Sequence, residues 1–131
     1  MKVAGFRNQS EMPRLMASGD ILVLPSAVEP WGLVVNEGLA CGLVPVVSDA
    51  VGCGPDLVDG TGVTYATAVV DDLALAMERA FAMVGSTAFR VARGRYLREH
   101  SMGASAQGYE RAVMALCAPL AQPSTGPSSR V

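Results

Sequence analysis

Two short apolar runs without polar interruption constrain this chain most: Ile21-Leu22-Val23-Leu24 between Asp20 and Pro25, and Pro45-Val46-Val47 ahead of Ser48. A strand with one face in water alternates apolar and polar side chains, so a continuous apolar run reads as a strand buried on both faces of a parallel sheet. Helical patterns lie between and after these runs, and the sequence therefore predicts an α/β layer structure. Ser10, followed by Glu11, Pro13 and the spaced apolar Met12, Leu15 and Met16, predicts a capped helix ending near Gly19. Leu33–Cys41 predicts a second helix stopped by Gly42, and Gly52-Cys53-Gly54-Pro55 a turn leading into a short helix. Val3–Gly5 reads as a strand fragment and Gly62–Tyr65 as a last short strand. Asp71 and Asp72 are expected to cap a helix running through Val84, with helices following over roughly 86–99 and 103–117. Residues 1–118 are expected to form the folded part, and the Pro/Ser-rich residues 119–131 a disordered tail.

Composition removes several classes. With 50% hydrophobic residues in a chain of 131, disorder does not describe the whole. No run approaches the ~18 apolar residues of a membrane span. Lys2 is followed by Gly5, Arg7, Asn8 and Gln9 rather than an apolar stretch, so no secretory signal is expected. Cys41, Cys53 and Cys117 are an odd set without C-x-x-C spacing, which reads as buried reduced thiols at a cytoplasmic address. One histidine, His100, supplies neither a multi-His metal site nor, so far from every cysteine in sequence, a Cys–His pair; no metal and no cofactor is expected. The net charge of −2 gives no general attraction for nucleic acid. It is unevenly placed, however: residues 1–78 carry ten acids against three bases, and residues 79–131 seven Arg against two Glu.

The chemically informative stretch runs from Pro25 to Glu37, where a buried strand gives way to a helix. In open parallel sheets, ligands collect beyond the carboxyl ends of the strands. The helix beginning Gly32-Leu33-Val34-Val35 has no Ser, Thr or Asp directly before it, and Trp31 cannot accept a hydrogen bond from its free N–H groups. Such a helix start is either solvated by water or an anion site suited to phosphate. Glu29 in the loop and Glu37 about one turn into the helix form a carboxylate pair. Glu37 sits among Leu33, Val34, Val35, Leu39 and Ala40 with no Lys or Arg nearby in sequence. A carboxylate so placed needs a ligand or solvent, and it is a good bidentate acceptor for a vicinal diol such as a ribose. Phosphate at the helix start and hydroxyls on the carboxylates describe a nucleotide-sugar site.

Glu29-Pro30-Trp31-Gly32-Leu33-Val34-Val35-Asn36-Glu37 resembles the Glu-x7-Glu motif of family-4 glycosyltransferases, retaining enzymes of the GT-B fold. Gly5-Phe6 with Met12–Met16, the Asp20–Ser26 run, Ala40–Val47 and the Gly52–Val58 loop resemble the family's flanking segments, so the resemblance covers about residues 3–115. It implies that Glu37 holds the ribose hydroxyls of a nucleotide-diphosphate sugar and that Glu29 faces the transferred sugar near its reaction centre. The backbone of Gly32, Leu33 and Val34 would meet the diphosphate and sugar hydroxyls, and the Gly5-Phe6-Arg7 loop would border the base. Trp31 would face the sugar or pack at the loop.

The resemblance also implies parts that are absent from the sequence: an N-terminal Rossmann-like domain carrying the acceptor site, and two earlier strands carrying cationic clamps. With strand order 3-2-1-4-5-6, the expected architecture is an incomplete Rossmann-like parallel sheet, the C-terminal half-domain of a GT-B fold, with trailing helices. Its Val3–Gly5 strand would lack a neighbour, and Asp20–Pro25 would offer an open edge to a separate N-terminal half or to a second copy. The expected activity is glycosyl transfer from the donor to an acceptor hydroxyl; the alternative is a non-catalytic nucleotide-sugar-binding or interaction module, or an inactive truncated fragment. Arg90, Arg93, Arg95, Arg98 and Arg111 read as a face turned to another domain or a membrane surface, or as a solvated helix face.

Overall fold

In the computed structural model, residues 3–117 are described. Residue contacts divide the chain into two compact units, Met1–Glu99 and His100–Val131. The first unit is built on three parallel strands, β1 (Ile21–Leu24), β2 (Val44–Ser48) and β3 (Val63–Tyr65), in the spatial order β1-β2-β3. Parallel strands need crossover connections. Helix α2 (Leu33–Cys41) supplies the first, and a single π-helical turn over Gly54–Val58 the second. Around them lie α1 (Met12–Met16), α3 (Val70–Met83) and α4 (Thr87–Glu99). The second unit is described by α5 (Met102–Cys117), none of whose residues is buried.

The central strand β2 is buried along its whole length, as its apolar run demands. β1 is only half-buried at all four positions, which corrects the expectation of burial on both faces. The reason is topological: β1 pairs with β2 on one side and, among the described residues, with nothing on the other. Val3–Gly5 forms no strand, and Val3 is 80% exposed. An extended fragment becomes a strand only by hydrogen-bonding a neighbour, and here there is none.

Helix α2 lies close against β1 because residue 38 is glycine; a Cβ there would stand 2.7 Å from Leu22 Cδ2. Val35 and Leu39 of α2 are fully buried, each contributing about 1.5–3 kcal/mol by removal from water. Gly42, at φ 98°, closes the helix: its N–H donates to Leu39 O and the Leu43 N–H donates to Gly38 O, a Schellman arrangement. Ala76 and Ala80, buried and small, are the residues of α3 turned into the core.

Two predicted caps are not caps. Ser10 bonds the Asn8 side chain, and α1 begins after Glu11 instead. Asp72 lies inside the first turn of α3 and accepts the Ala66 N–H, while Val69 occupies the cap position. Ser86 does cap α4, its hydroxyl accepting the Phe89 N–H at 3.2 Å. The expected tail over 119–131 lies outside the described residues.

Candidate functional site

The loop after β1 is stitched to the loop after β2. The Glu29 N–H donates to Ala50 O at 3.3 Å, the Gly52 N–H to Glu29 O at 2.8 Å, and the Cys53 N–H to Trp31 O at 3.0 Å. Glu29 and Val51 thereby form an isolated parallel bridge beyond the strands proper. The Ser48 hydroxyl adds a bond to Ser26 O. Gly52 is required at the crossing, since a Cβ there would overlap the Pro30 carbonyl. Two loops at the carboxyl ends of adjacent strands thus form one backbone-bonded platform, at the place where open α/β sheets bind ligands.

Helix α2 rises from this platform. Gly32, buried and left-handed at φ 92°, ψ 58°, occupies its N-cap position, and no side chain caps the helix. The one cap bond is the Val35 N–H to Gly32 O at 2.9 Å. The remaining first-turn N–H groups carry the positive end of the helix dipole without a built-in anion to meet it. Around this mouth, Val28 is 85%, Leu33 68% and Trp31 42% exposed. These three apolar side chains remain open to solvent, and Trp31 is divided between packing and solvent.

The two carboxylates occupy different surroundings. Glu29 is half-buried and turns back on its own loop, where Oε1 accepts the Trp31 N–H at 3.3 Å. Glu37 is exposed and has neither a hydrogen bond nor an ion pair among the described residues. It lines a cleft of about 340 Å³ between α1 and α2, together with Gln9, Met12, Pro13, Met16, Ala40 and Cys41. Glu37 is the single charged group in that otherwise largely apolar lining. From Gly32 to Glu37 the helix climbs roughly 7–8 Å at ~1.5 Å per residue, so Glu29 and Glu37 flank one helix turn and a half rather than sharing a pocket.

The Gly5-Phe6-Arg7 segment stands apart from the cleft. Gly5 is left-handed at φ 68° with open space around it, and Phe6 is 93% exposed. Arg7 pairs with Glu11 at 3.5 Å and lines a separate depression with Ser10, Arg14, Leu15 and Ser18. Gln9, which the sequence did not single out, is the residue of this loop that reaches the Glu37 cleft.

Of the three thiols, only Cys53 is buried; Cys41 is half-buried and Cys117 exposed, which corrects the expectation of three buried thiols. Burial pushes the Cys53 thiol pKa up, and the charges of Glu29 and Asp56 push the same way. It therefore stays protonated, a packing residue beneath the platform whose Sγ lies 3.9 Å from Gly32 O. Asp49, at the end of β2, is held below the usual carboxylate range by the Thr67 hydroxyl and the Thr67 N–H. Among the described residues, no group of three or more His, Cys, Asp or Glu is placed to share a metal ion, and no helix is long and apolar enough to cross a membrane.

Arg93 departs from the reading of the Arg-rich segment as a solvated or outward-facing array. Its guanidinium donates through Nε to Leu39 O and through Nη2 to Ala40 O at 2.7 Å, binding the last carbonyls of α2. No local sequence signal marks this contact, because the partners are more than fifty positions apart.

Comparison with known proteins identifies relatives of this chain. Glycogen synthase of Edwardsiella ictaluri is 34% identical over 102 residues, covering 70% of this chain and 20% of that protein. Glycogen synthase of Francisella tularensis subsp. holarctica is 30% identical over 86 residues, covering 58% of this chain and 18% of that protein. The chain thus spans about a fifth of the length of these relatives. The structure of sucrose-phosphate synthase from Thermosynechococcus elongatus superposes with a TM-score of 0.59 at 24% identity, over 78% of this chain and 27% of that one, a likeness of fold. Residues 1–87 match the family described as glycosyl transferases group 1, and the chain belongs to that family of glycosyl-transferring proteins.

Proposed function

We propose that this chain is the donor-binding part of a retaining glycosyltransferase that uses a nucleotide-diphosphate sugar. One observation carries the reading: an uncapped helix start held on a backbone-bonded platform, with an unpaired Glu37 a turn and a half along the same helix. The diphosphate binds the N–H groups of Gly32, Leu33 and Val34, where the dipole favours negative charge. Glu37 accepts hydrogen bonds from the two ribose hydroxyls, a step along the helix comparable with that from a ribose diol to its diphosphate. Glu29, at the platform, faces the transferred sugar near its anomeric carbon, with Trp31 beside the sugar ring.

In the reaction, the anomeric carbon–oxygen bond to the diphosphate breaks and a bond to the acceptor hydroxyl oxygen forms on the same face of the sugar. The acceptor proton passes to the departing diphosphate. The chain's contribution is positioning, together with stabilisation of the charge that develops on that diphosphate at the helix start. The outer edge of β1, whose backbone is open to a further strand among the described residues, is where a separate half or a second copy would pair. A cytoplasmic address belongs to the same reading and is supported by three free thiols.

A second reading, a non-catalytic nucleotide-sugar-binding or interaction module, is favoured by Glu29, whose carboxylate turns back on its own loop to accept the Trp31 N–H. Calorimetric titration with adenosine- and uridine-diphosphate glucose tests the donor site common to both. The wild-type chain is expected to bind one of them and Glu37→Ala neither; equal affinity in the variant would sink the assignment. Donor-dependent transfer to an added acceptor then separates enzyme from module.

A further inference from the structure

Helix α2 bears Glu37 and the helix start of the candidate donor site, yet it has only nine residues and no side-chain N-cap. Isolated helices of that length are marginal in water, so what holds α2 also holds the site. We propose that Arg93 and Tyr96 of α4 are positioning residues for the donor site, fixing α2 through Asn36 and its last carbonyls. The inference rests on the donor-site reading above.

Phe89, Arg93 and Tyr96 follow one another at spacings of four and three, so they share one face of α4. Phe89 and Tyr96 are 4% and 7% exposed and belong to the core that includes Val35 and Leu39 of α2. Between them, Arg93 closes on α2 with two donors of one planar group, on Leu39 O and Ala40 O. These carbonyls lie at the negative end of the α2 dipole, where a cation is favoured. The Gly42–Leu43 turn satisfies Gly38 O and shares Leu39 O, which leaves Ala40 O to Arg93.

One turn earlier, the Tyr96 hydroxyl lies 3.1 Å from Asn36 Oδ1. Asn36 directly precedes Glu37, about 100° away around the helix. The chain therefore grips α2 through Asn36 and its last carbonyls while Glu37 stays on the α1 side. A lysine at 93 would supply a point charge and not a fork spanning two carbonyls. All but the first residue of α4 lies beyond the stretch matched to the family, so this grip is additional to what the match describes.

The test combines amide hydrogen exchange on the ligand-free 131-residue chain with titration by adenosine- and uridine-diphosphate glucose. Arg93→Lys is expected to speed exchange in α2 at least tenfold, leave exchange in β2 unchanged, and weaken nucleotide-sugar binding five- to tenfold. Tyr96→Phe, which keeps the ring in the core, is expected to weaken binding about threefold. Adding Arg93→Lys to Glu37→Gln should cost less than it does in the wild type, because both act on one helix. Unchanged affinity in Arg93→Lys overturns the proposal, as does faster exchange spread evenly over α2, β2 and α3, which marks a merely structural role. If the wild type binds neither sugar nucleotide, the donor-site reading fails and takes the positioning role with it. The α2 exchange result separates that failure from a failure of the grip itself.

Discussion

Gly32 and Val51 meet where the two platform loops cross: a Cβ built on Gly32 would stand 3.0 Å from Val51 Cγ1, with Leu24 Cδ2 at 3.2 Å and Cys53 Sγ at 3.4 Å. The left-handed backbone at φ 92° independently disfavours any side chain. Gly32→Ala is therefore expected to cost about 2–4 kcal/mol, the sum of backbone strain and overpacking. Gly42→Ala is the matched comparison, with φ 98° and open space around the added carbon, and is expected to cost about 1–2 kcal/mol from strain alone. Urea denaturation of both variants checks the difference; equal losses would show that the Val51 contact carries no energy.

The same crossing shows what the sequence could convey. The runs Ile21–Leu24 and Val46–Val47 announced parallel strands, and Gly42 announced the end of α2, because each is a local consequence of burial or backbone geometry. The Glu29–Glu37 spacing was equally legible, as was the lack of a cap between them. Contacts between distant segments were not. Whether Val3–Gly5 becomes a strand depends on a neighbour that its own residues cannot specify. Asp72 looked like a cap, yet it found the Ala66 N–H six residues back. Arg93 looked like one more surface cation, because nothing near it in sequence names Leu39 and Ala40 as its partners.

Asp49 is coupled to Thr67 in a way that a pH titration can read. Its carboxyl is held below the ordinary value of 3.8, chiefly by the Thr67 hydroxyl. A carboxylate with a depressed folded-state pKa stabilises the fold above its unfolded value, and that contribution is lost as pH falls through the folded one. Thr67→Val removes the hydroxyl donor and keeps the backbone N–H. The Asp49 pKa is expected to move up toward 3.8 without reaching it, as followed by NMR of the side-chain carboxyl. An unmoved titration would show that the hydroxyl contributes nothing.

At the alkaline end, Cys53 and Tyr96 act in the same direction. Burial raises the thiol above its ordinary 9.0 and the phenol above its ordinary 10.0, and a Cys53 thiolate would raise the Tyr96 value further. A group whose folded pKa is raised keeps its proton in the folded chain after the unfolded chain has lost it. Its contribution is complete below the unfolded pKa and drains away as pH climbs toward the folded one. Stability is therefore expected to fall from about pH 9 upward, with a second contribution beginning near pH 10. Urea midpoints measured from pH 7 to 10.5 check this, with Cys53→Ala expected to flatten the earlier part of the decline and Tyr96→Phe the later part. Cys117 is exposed, so Cys117→Ser is expected to leave the profile unchanged. A wild-type profile parallel to that of Cys53→Ala across pH 9–10 would remove the buried thiol from the account.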